Sequence, residues 1–166
     1  TSNLGIYRFD GKSLSWMYEK HLTDILETGG SFGIRSMFED EEGKYWFCNT
    51  SYRYHIDTHD SIANGRSFIR YKKEKGIGLV KAIDGKDLIY YMSITEDIKH
   101  NLWMATYADG VWQYDGKNLT RYAVKDGQKD IKLFSIYKDN IGVLWLGTHE
   151  GGAYKFNGQA FEKFRP

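Results

Sequence analysis

The chemistry open to this chain rests on five histidines, one cysteine and 22 carboxylates among 166 residues. His55 and His59 stand four apart, with Asp57 and Asp60 beside them. On a helix that spacing presents two imidazoles to one metal ion. On an extended strand the same residues lie about 13 Å apart along the chain, too far to share one ligand. The surrounding Tyr52-Arg-Tyr-His-Ile56 reads as strand or loop, so a solvated pair and no metal site are expected. His21, His100 and His149 are scattered, and neither a Ser-His-Asp order nor a Gly-x-Ser-x-Gly elbow occurs. Glu39-Asp-Glu-Glu42 and Glu96-Asp97 look like the paired carboxylates of acid–base catalysis, yet both fall on polar turns at one place in a repeat. Gly29-Gly30 and Gly76-Ile-Gly78 lack the strand-to-helix setting of a phosphate loop. Cys48 occupies a position held elsewhere by Ala105 and Gly147, which predicts a buried, unreactive thiol. The expectation is a non-enzyme with no catalytic residue and no cofactor.

Composition narrows the classes further. Lys plus Arg number 23 against 22 acidic residues, a formal charge of +1. Such balance argues against a dedicated nucleic-acid binder and against a polybasic membrane anchor. No apolar run approaches the roughly 18 residues that span a bilayer, and no signal peptide is visible. The chain opens on Thr1, so removal of an upstream segment is expected. A lone cysteine allows no intrachain disulfide and leaves the redox compartment open. Sixteen per cent aromatics, 18 glycines and one proline suit short strands and tight turns better than helices.

What positions these residues is a repeat. Leu4-Gly-Ile-Tyr-Arg-Phe-Asp-Gly-Lys-Ser-Leu14 is matched by 109–119 and by 151–161, with a weaker copy at Asn64-Gly-Arg-Ser-Phe68. A second signature runs Ser36-Met-Phe-Glu-Asp40 to Trp46, Ser93-Ile-Thr-Glu-Asp97 to Trp103, and Ser135-Ile-Tyr-Lys-Asp139 to Trp145. The tryptophans are 57 and 42 residues apart, about the length of a propeller blade. Each unit reads as four strands, a to d. Strand a starts at the serine, a polar turn follows, and strand b carries the tryptophan and ends on a small residue. Strand c alternates aromatic and polar residues, as in Tyr7, Arg8 and Phe9, and an Asp-Gly or Asn-Gly hairpin leads to strand d. Strand d carries Leu14 and Met17, Phe68 and Tyr71, Leu119 and Tyr122, or Phe161 and Phe164. Unit two has about six extra residues near 52–63, in either the b–c loop or the c–d turn, and a further insertion is expected at 72–87.

The string Ser93-Ile-Thr-Glu-Asp97, Leu102-Trp-Met-Ala-Thr106 and Tyr114-Asp-Gly-Lys117 resembles the two-component regulator propeller repeat. The resemblance covers nearly the whole chain and is weakest in unit two. It implies a sensor-type β-propeller outside the cytoplasm, periplasmic or at the cell surface. The fold class is therefore all-β, in blades of four antiparallel strands. Register divides the chain into a half-blade at 1–28 and blades at 29–75, 76–127 and 128–166. That makes three and a half blades in one partial domain, half of a seven-bladed propeller.

Propeller geometry gathers the b–c and d–a loops at one face, around a channel. There the chain offers Asn3, Arg35, Tyr52, Arg53, Tyr107, Asp109, His149 and Glu150, with Met92 and Phe134 at the starts of strand a. Stacking rings with charged groups suit a saccharide or another polar ligand. The rival readings are a propeller enzyme of lyase or hydrolase type and a protein-interaction platform. Exposed edges predict pairing with another copy or with the missing propeller half.

Overall fold

The computed structural model describes residues 5–23, 33–78 and 90–165. The chain forms two compact units that divide between Tyr90 and Tyr91. Each is built from four-stranded sheets, and the one helix among the described residues is the single turn α1 (Lys20–Thr23).

In the first unit, β3 (Phe38–Glu39), β4 (Tyr45–Trp46), β5 (Tyr52–Ile56) and β8 (Tyr71–Lys75) form an antiparallel sheet in that order. A second sheet has the order β1 (Ile6–Phe9), β2 (Leu14–Met17), β7 (Arg66–Phe68), β6 (Ser61–Ala63). The extra residues of this region lie in the c–d connection, where they build the β6–β7 hairpin. Asn64 and Gly65 take φ of 50° and 72°, the two positive values that a type I′ turn requires. The hairpin leaves its own sheet and pairs β7 in parallel with β2, through Ser15↔Ser67 and Trp16↔Phe68. Asp60 fastens it, accepting hydrogen bonds from Ser15 and Ser67 and pairing with Arg8. This corrects the expectation that Asn64-Gly-Arg-Ser-Phe68 is a weak copy of the c–d turn with Phe68 on strand d. Strand d is β8, paired with β5 from Tyr52↔Lys75 to Ile56↔Tyr71. Residues 72–75, expected to be an insertion, belong to that strand. Its sequence, Tyr-Lys-Lys-Glu-Lys, has no apolar alternation because it is an outer strand wetted by solvent. The core of the unit gathers Met17, Leu22, Ile34, Phe47, Cys48, Tyr54 and Ile69.

The second unit is more regular. β9 (Tyr91–Glu96), β10 (Leu102–Thr106), β11 (Val111–Tyr114) and β12 (Leu119–Tyr122) form one antiparallel meander. β15 (Leu133–Lys138), β16 (Leu144–Thr148), β17 (Ala153–Phe156) and β18 (Phe161–Lys163) form another. Between them in sequence lies a hairpin of β13 (Lys125–Asp126) and β14 (Lys129–Asp130). The core joins both sheets through Trp103, Val111, Val124, Leu133, Ile136, Leu144, Leu146, Tyr154 and Phe161.

One device recurs in all three a–b turns. Asp40, Asp97 and Asp139 each use one carboxylate oxygen to accept two backbone N–H groups of their own turn. Each uses the other to accept the indole N–H of the tryptophan six residues on, at 2.8 Å. The Glu-Asp and Lys-Asp pairs of the motif are thus turn clamps. The c–d turns repeat a second device, in which Asp10, Asp115 and Asn157 each accept two backbone N–H groups ahead of them. In these turns the glycine of the Asp-Gly or Asn-Gly pair alone takes positive φ, so they differ from the Asn64-Gly65 turn.

The small residue just before the last of strand b faces a serine within strand a. Ala105 pairs with Ser93 and Gly147 with Ser135, and a methyl group on Gly147 would sit 2.4 Å from the Ser135 hydroxyl. Cys48 meets the same serine position. It is fully buried, with φ of 53°, and its sulfur accepts the N–H groups of Arg35 and Ser36 at 2.9 and 3.0 Å.

Candidate functional site

The b–c loops of the second unit are shaped by a threonine at the end of strand b. The Thr106 hydroxyl accepts the Asp109 N–H at 2.9 Å and donates to the Gly110 carbonyl at 2.8 Å. Thr148 makes the same pair of bonds, to Gly151 N–H and the Gly152 carbonyl. Gly110 and Gly152 close the loops with φ of 73° and 78°. These loops thereby present Tyr107 and His149 outward at fixed positions.

Backbone bonds from Leu133 N–H to the Tyr107 carbonyl and from His149 N–H to the Lys132 carbonyl stitch the loops to the start of β15. The outcome is an exposed aromatic ledge. The rings of Tyr107 and Phe134 lie 5.8 Å apart, and those of Phe134 and His149 lie 5.3 Å apart. The Lys132 ammonium stands 5.2 Å from the Tyr107 ring centre, a cation–π distance. Beside the ledge is a cleft of about 430 Å³ walled by Ile131, Lys132, His149, Glu150, Gly151 and the β13–β14 hairpin. Glu150 lies 3.3 Å from His149 Nδ1 and 3.8 Å from Lys129 Nζ. Asp126 pairs with Lys163 at 2.7 Å, and this partner holds the Asp126 carboxyl below the usual carboxylate range. Behind Gly151, the Tyr154 hydroxyl is buried with no protein hydrogen-bond partner, and burial pushes its pKa upward.

Of the residues singled out by sequence, Tyr107, His149 and Glu150 come together here. Asp109 turns aside, bonding Arg121 Nε at 2.9 Å and the Trp112 indole at 3.1 Å. Tyr52 and Arg53, expected on a b–c loop, stand on β5. Arg53 is opposite Trp46 and reaches Glu42 at 2.8 Å and Asp40 at 3.3 Å, reinforcing the a–b turn clamp. His55 lies two residues further along β5 and is exposed. Arg35 borders a separate cleft of about 260 Å³ with Ile6, Tyr7, Ile34, Met37 and Phe47. Asn3 lies outside the described residues.

Two groups escaped the sequence reading. The β13–β14 hairpin falls where a blade boundary was expected. Its signal was Lys125-Asp-Gly-Gln-Lys-Asp130, in which a turn dipeptide sets each lysine opposite an aspartate, Lys125↔Asp130 and Asp126↔Lys129. The other group is an ionic cluster in the first unit. Glu19 accepts from Tyr54 at 2.6 Å and Lys73 at 3.1 Å, and Lys73 also meets His21 Nδ1 at 2.8 Å and the Tyr52 ring at 4.6 Å. Burial opposes ionisation of Glu19, but the bonds from Tyr54, His21 and Lys73 outweigh it and lower its pKa. Burial and then Glu19 drive the Tyr54 phenol far above its ordinary value. The cluster ties α1 to β5 and β8, and no spacing in the sequence announces it.

No family model matches the chain, and no curated protein matches it. Solved structures do. The extracellular domain of BT4673 from B. thetaiotaomicron, described both as a hybrid two component system and as a one component system, matches at 16% and 15% identity with a TM-score of 0.53. The likeness is one of fold. In both structures it takes in 89% of this chain and 18% of that one, so the chain spans less than a fifth of the domain it matches. PorZ, a surface component of the type-IX secretion system of Porphyromonas gingivalis, aligns at 12% identity over 96% of this chain and 31% of its own, with a TM-score of 0.45. Among the described residues no helix is long and apolar enough to cross a membrane.

Proposed function

We propose that the chain is part of a non-catalytic β-propeller of the two-component regulator type, acting outside the cytoplasm to bind or sense a polar ligand such as a saccharide. The observation that carries this reading is the aromatic ledge of Tyr107, Phe134 and His149, with the Lys132 cation at one side and the charged cleft below. Sugar rings stack their C–H faces on such rings, while hydroxyls and acidic groups find the lysines and carboxylates. The repeated turn clamps support the blade assignment. Three and a half blades in one domain, completed by another copy or by the rest of a seven-bladed ring, is the arrangement that follows. Recruitment of Arg35, Tyr52, Arg53, Asp109 and Asn3 to the same ligand belongs to this reading only in the completed assembly.

Calorimetric titration with neutral and acidic oligosaccharides tests it. Binding is expected in the wild type. Tyr107→Ala, Phe134→Ala and His149→Ala should each weaken it by about tenfold, or 1.4 kcal/mol. Silence with every glycan, together with capture of one defined protein, would favour the interaction platform. Turnover of polysaccharide fragments that disappears in His149→Ala and Glu150→Ala would favour an enzyme. Either result overturns the saccharide-binding reading.

A further inference from the structure

The chain carries the dipeptide Asn-Gly twice, at Asn64-Gly65 and at Asn157-Gly158. A glycine after asparagine leaves its backbone nitrogen open to the side-chain amide before it, since no side chain stands in the way. The two copies are held differently. Asn157 closes a c–d turn with its side chain, whose Oδ1 accepts the N–H groups of Gln159 and Ala160 at 2.8 and 2.9 Å. Its own N–H donates to the Ala160 carbonyl at 3.0 Å. Asn64 closes the β6–β7 turn with backbone angles alone, φ of 50° followed by 72° at Gly65. Among the described residues, no hydrogen bond holds the Asn64 side-chain amide or the Gly65 N–H. No atom beyond the chain neighbours lies within 4 Å of where a Gly65 side chain would start.

We infer that Asn64-Gly65 is a site of spontaneous covalent modification, at which the chain deamidates through a cyclic imide and unfastens the β6–β7 hairpin from β2. The Gly65 nitrogen gives up its proton and attacks Cγ of Asn64. A C–N bond forms, the Cγ–Nδ2 bond breaks, and Nδ2 leaves as ammonia with that proton. Water then opens the imide at one of its two carbonyls. Opening at Cγ leaves aspartate. Opening at the α-carbonyl leaves isoaspartate, whose main chain runs through the side-chain carbons. That product lengthens the backbone of a turn that spans two residues, between Ala63 and Arg66. The ladder from Ala63↔Arg66 to Ser61↔Phe68 then loses its register. The grip on β2 depends on that ladder, through Ser15↔Ser67, Trp16↔Phe68 and the bond from Ile69 N–H to the Trp16 carbonyl at 3.0 Å. The inference is independent of the ligand-binding reading, so glycan titrations leave it untouched.

Peptide mapping by mass spectrometry tests it, following both asparagines of the full chain in mildly alkaline buffer, folded and in urea. In the folded chain Asn64 should convert at least about tenfold faster than Asn157, whose two side-chain hydrogen bonds must open first. In urea the two should convert at similar rates, because the difference belongs to the fold. Equal rates in the folded chain would overturn the inference, and so would an Asn64 that stays intact there. Hydrogen exchange then compares the isolated isoaspartate form with fresh protein. The Ile69 amide should lose protection in the isoaspartate form. Asn64→Asp, which has the new charge on an ordinary backbone, should keep it. Protection retained in the isoaspartate form would overturn the unfastening.

Discussion

At the residue scale the repeated aspartate is the most informative side chain. Its spacing of six from the tryptophan was in plain view, but spacing alone does not reveal that one carboxylate oxygen takes the turn and the other the indole. Burial raises the Asp97 pKa and its hydrogen bonds from Trp103, Asn101 and Lys99 lower it, with the bonds prevailing. A carboxyl lowered in the folded state contributes stability above its unfolded pKa and loses it as pH falls through the folded value. Asp97→Asn keeps an acceptor for the turn but offers only one carbonyl oxygen. It should therefore cost about 1–2 kcal/mol at neutral pH, the scale of a lost charge-assisted hydrogen bond. Urea denaturation at pH 7 and near pH 3 would check this, because the difference between variant and wild type should shrink in acid. An unchanged difference would remove the charge from the account. Arg53 shows the opposite kind of legibility. Its type suggested ligand binding, whereas three surrounding carboxylates make it structural, and only the fold brings Asp40, Glu42 and Glu74 to it.

At the level of elements, the regular sheets were readable because their strands alternate and their turns reuse one chemistry. The first unit was misread where two similar dipeptides serve different turns. Asp10-Gly11 closes a c–d turn through the aspartate side chain, and Asn64-Gly65 closes a free-standing hairpin through two positive φ angles. Strand β8 went unrecognised because four of its five residues are charged. Glycine substitutions separate conformation from space. Gly65→Ala meets no atom within 4 Å, so only φ of 72° opposes it, and it should cost about 1 kcal/mol. Gly110→Ala has nearly the same φ, 73°, but its new carbon would lie 2.4 Å from the Tyr122 carbonyl oxygen. It should cost several kcal/mol, in the range of core overpacking added to backbone strain. Equal shifts in urea midpoint for the two variants would contradict this division. Because Gly110 also sets the Tyr107 loop, its alanine variant should lose ligand binding together with stability.

Over the whole molecule, the equivalence of Trp103 and Trp145 was legible in the repeat, and the difference in their burial was not. Repeat position puts both on strand b, where stacking of successive sheets would bury both. Trp103 is enclosed by Phe156 and Phe161, whereas Trp145 is only half-buried, with Phe164 and Lys155 against it. Trp103→Ala should then cost about 3–5 kcal/mol and Trp145→Ala about half as much in dilute solution. Thermal melts of the two variants at low concentration would show the ranking. The site follows the same rule. Tyr107, His149 and Glu150 could be found from repeat position, while the hairpin that walls their cleft lies outside the repeat and leaves only its Asp126-Gly127 turn and alternating charges as a signal, with no hydrophobic trace.

The enclosure of Cys48 makes the first unit self-reporting. It is the only thiol in the chain, it is inaccessible, and two backbone N–H groups hold its sulfur. A dye that reacts with sulfhydryls can attach only during excursions in which strand and loop part around residue 48. With reagent in excess, the rate of colour development divided by that of a small free thiol gives the fraction of time spent open. If opening costs about 4 kcal/mol, modification slows by about a thousandfold. Repeating the assay across low urea distinguishes a local breath, whose rate barely changes, from unravelling of the unit, whose rate climbs steeply with denaturant.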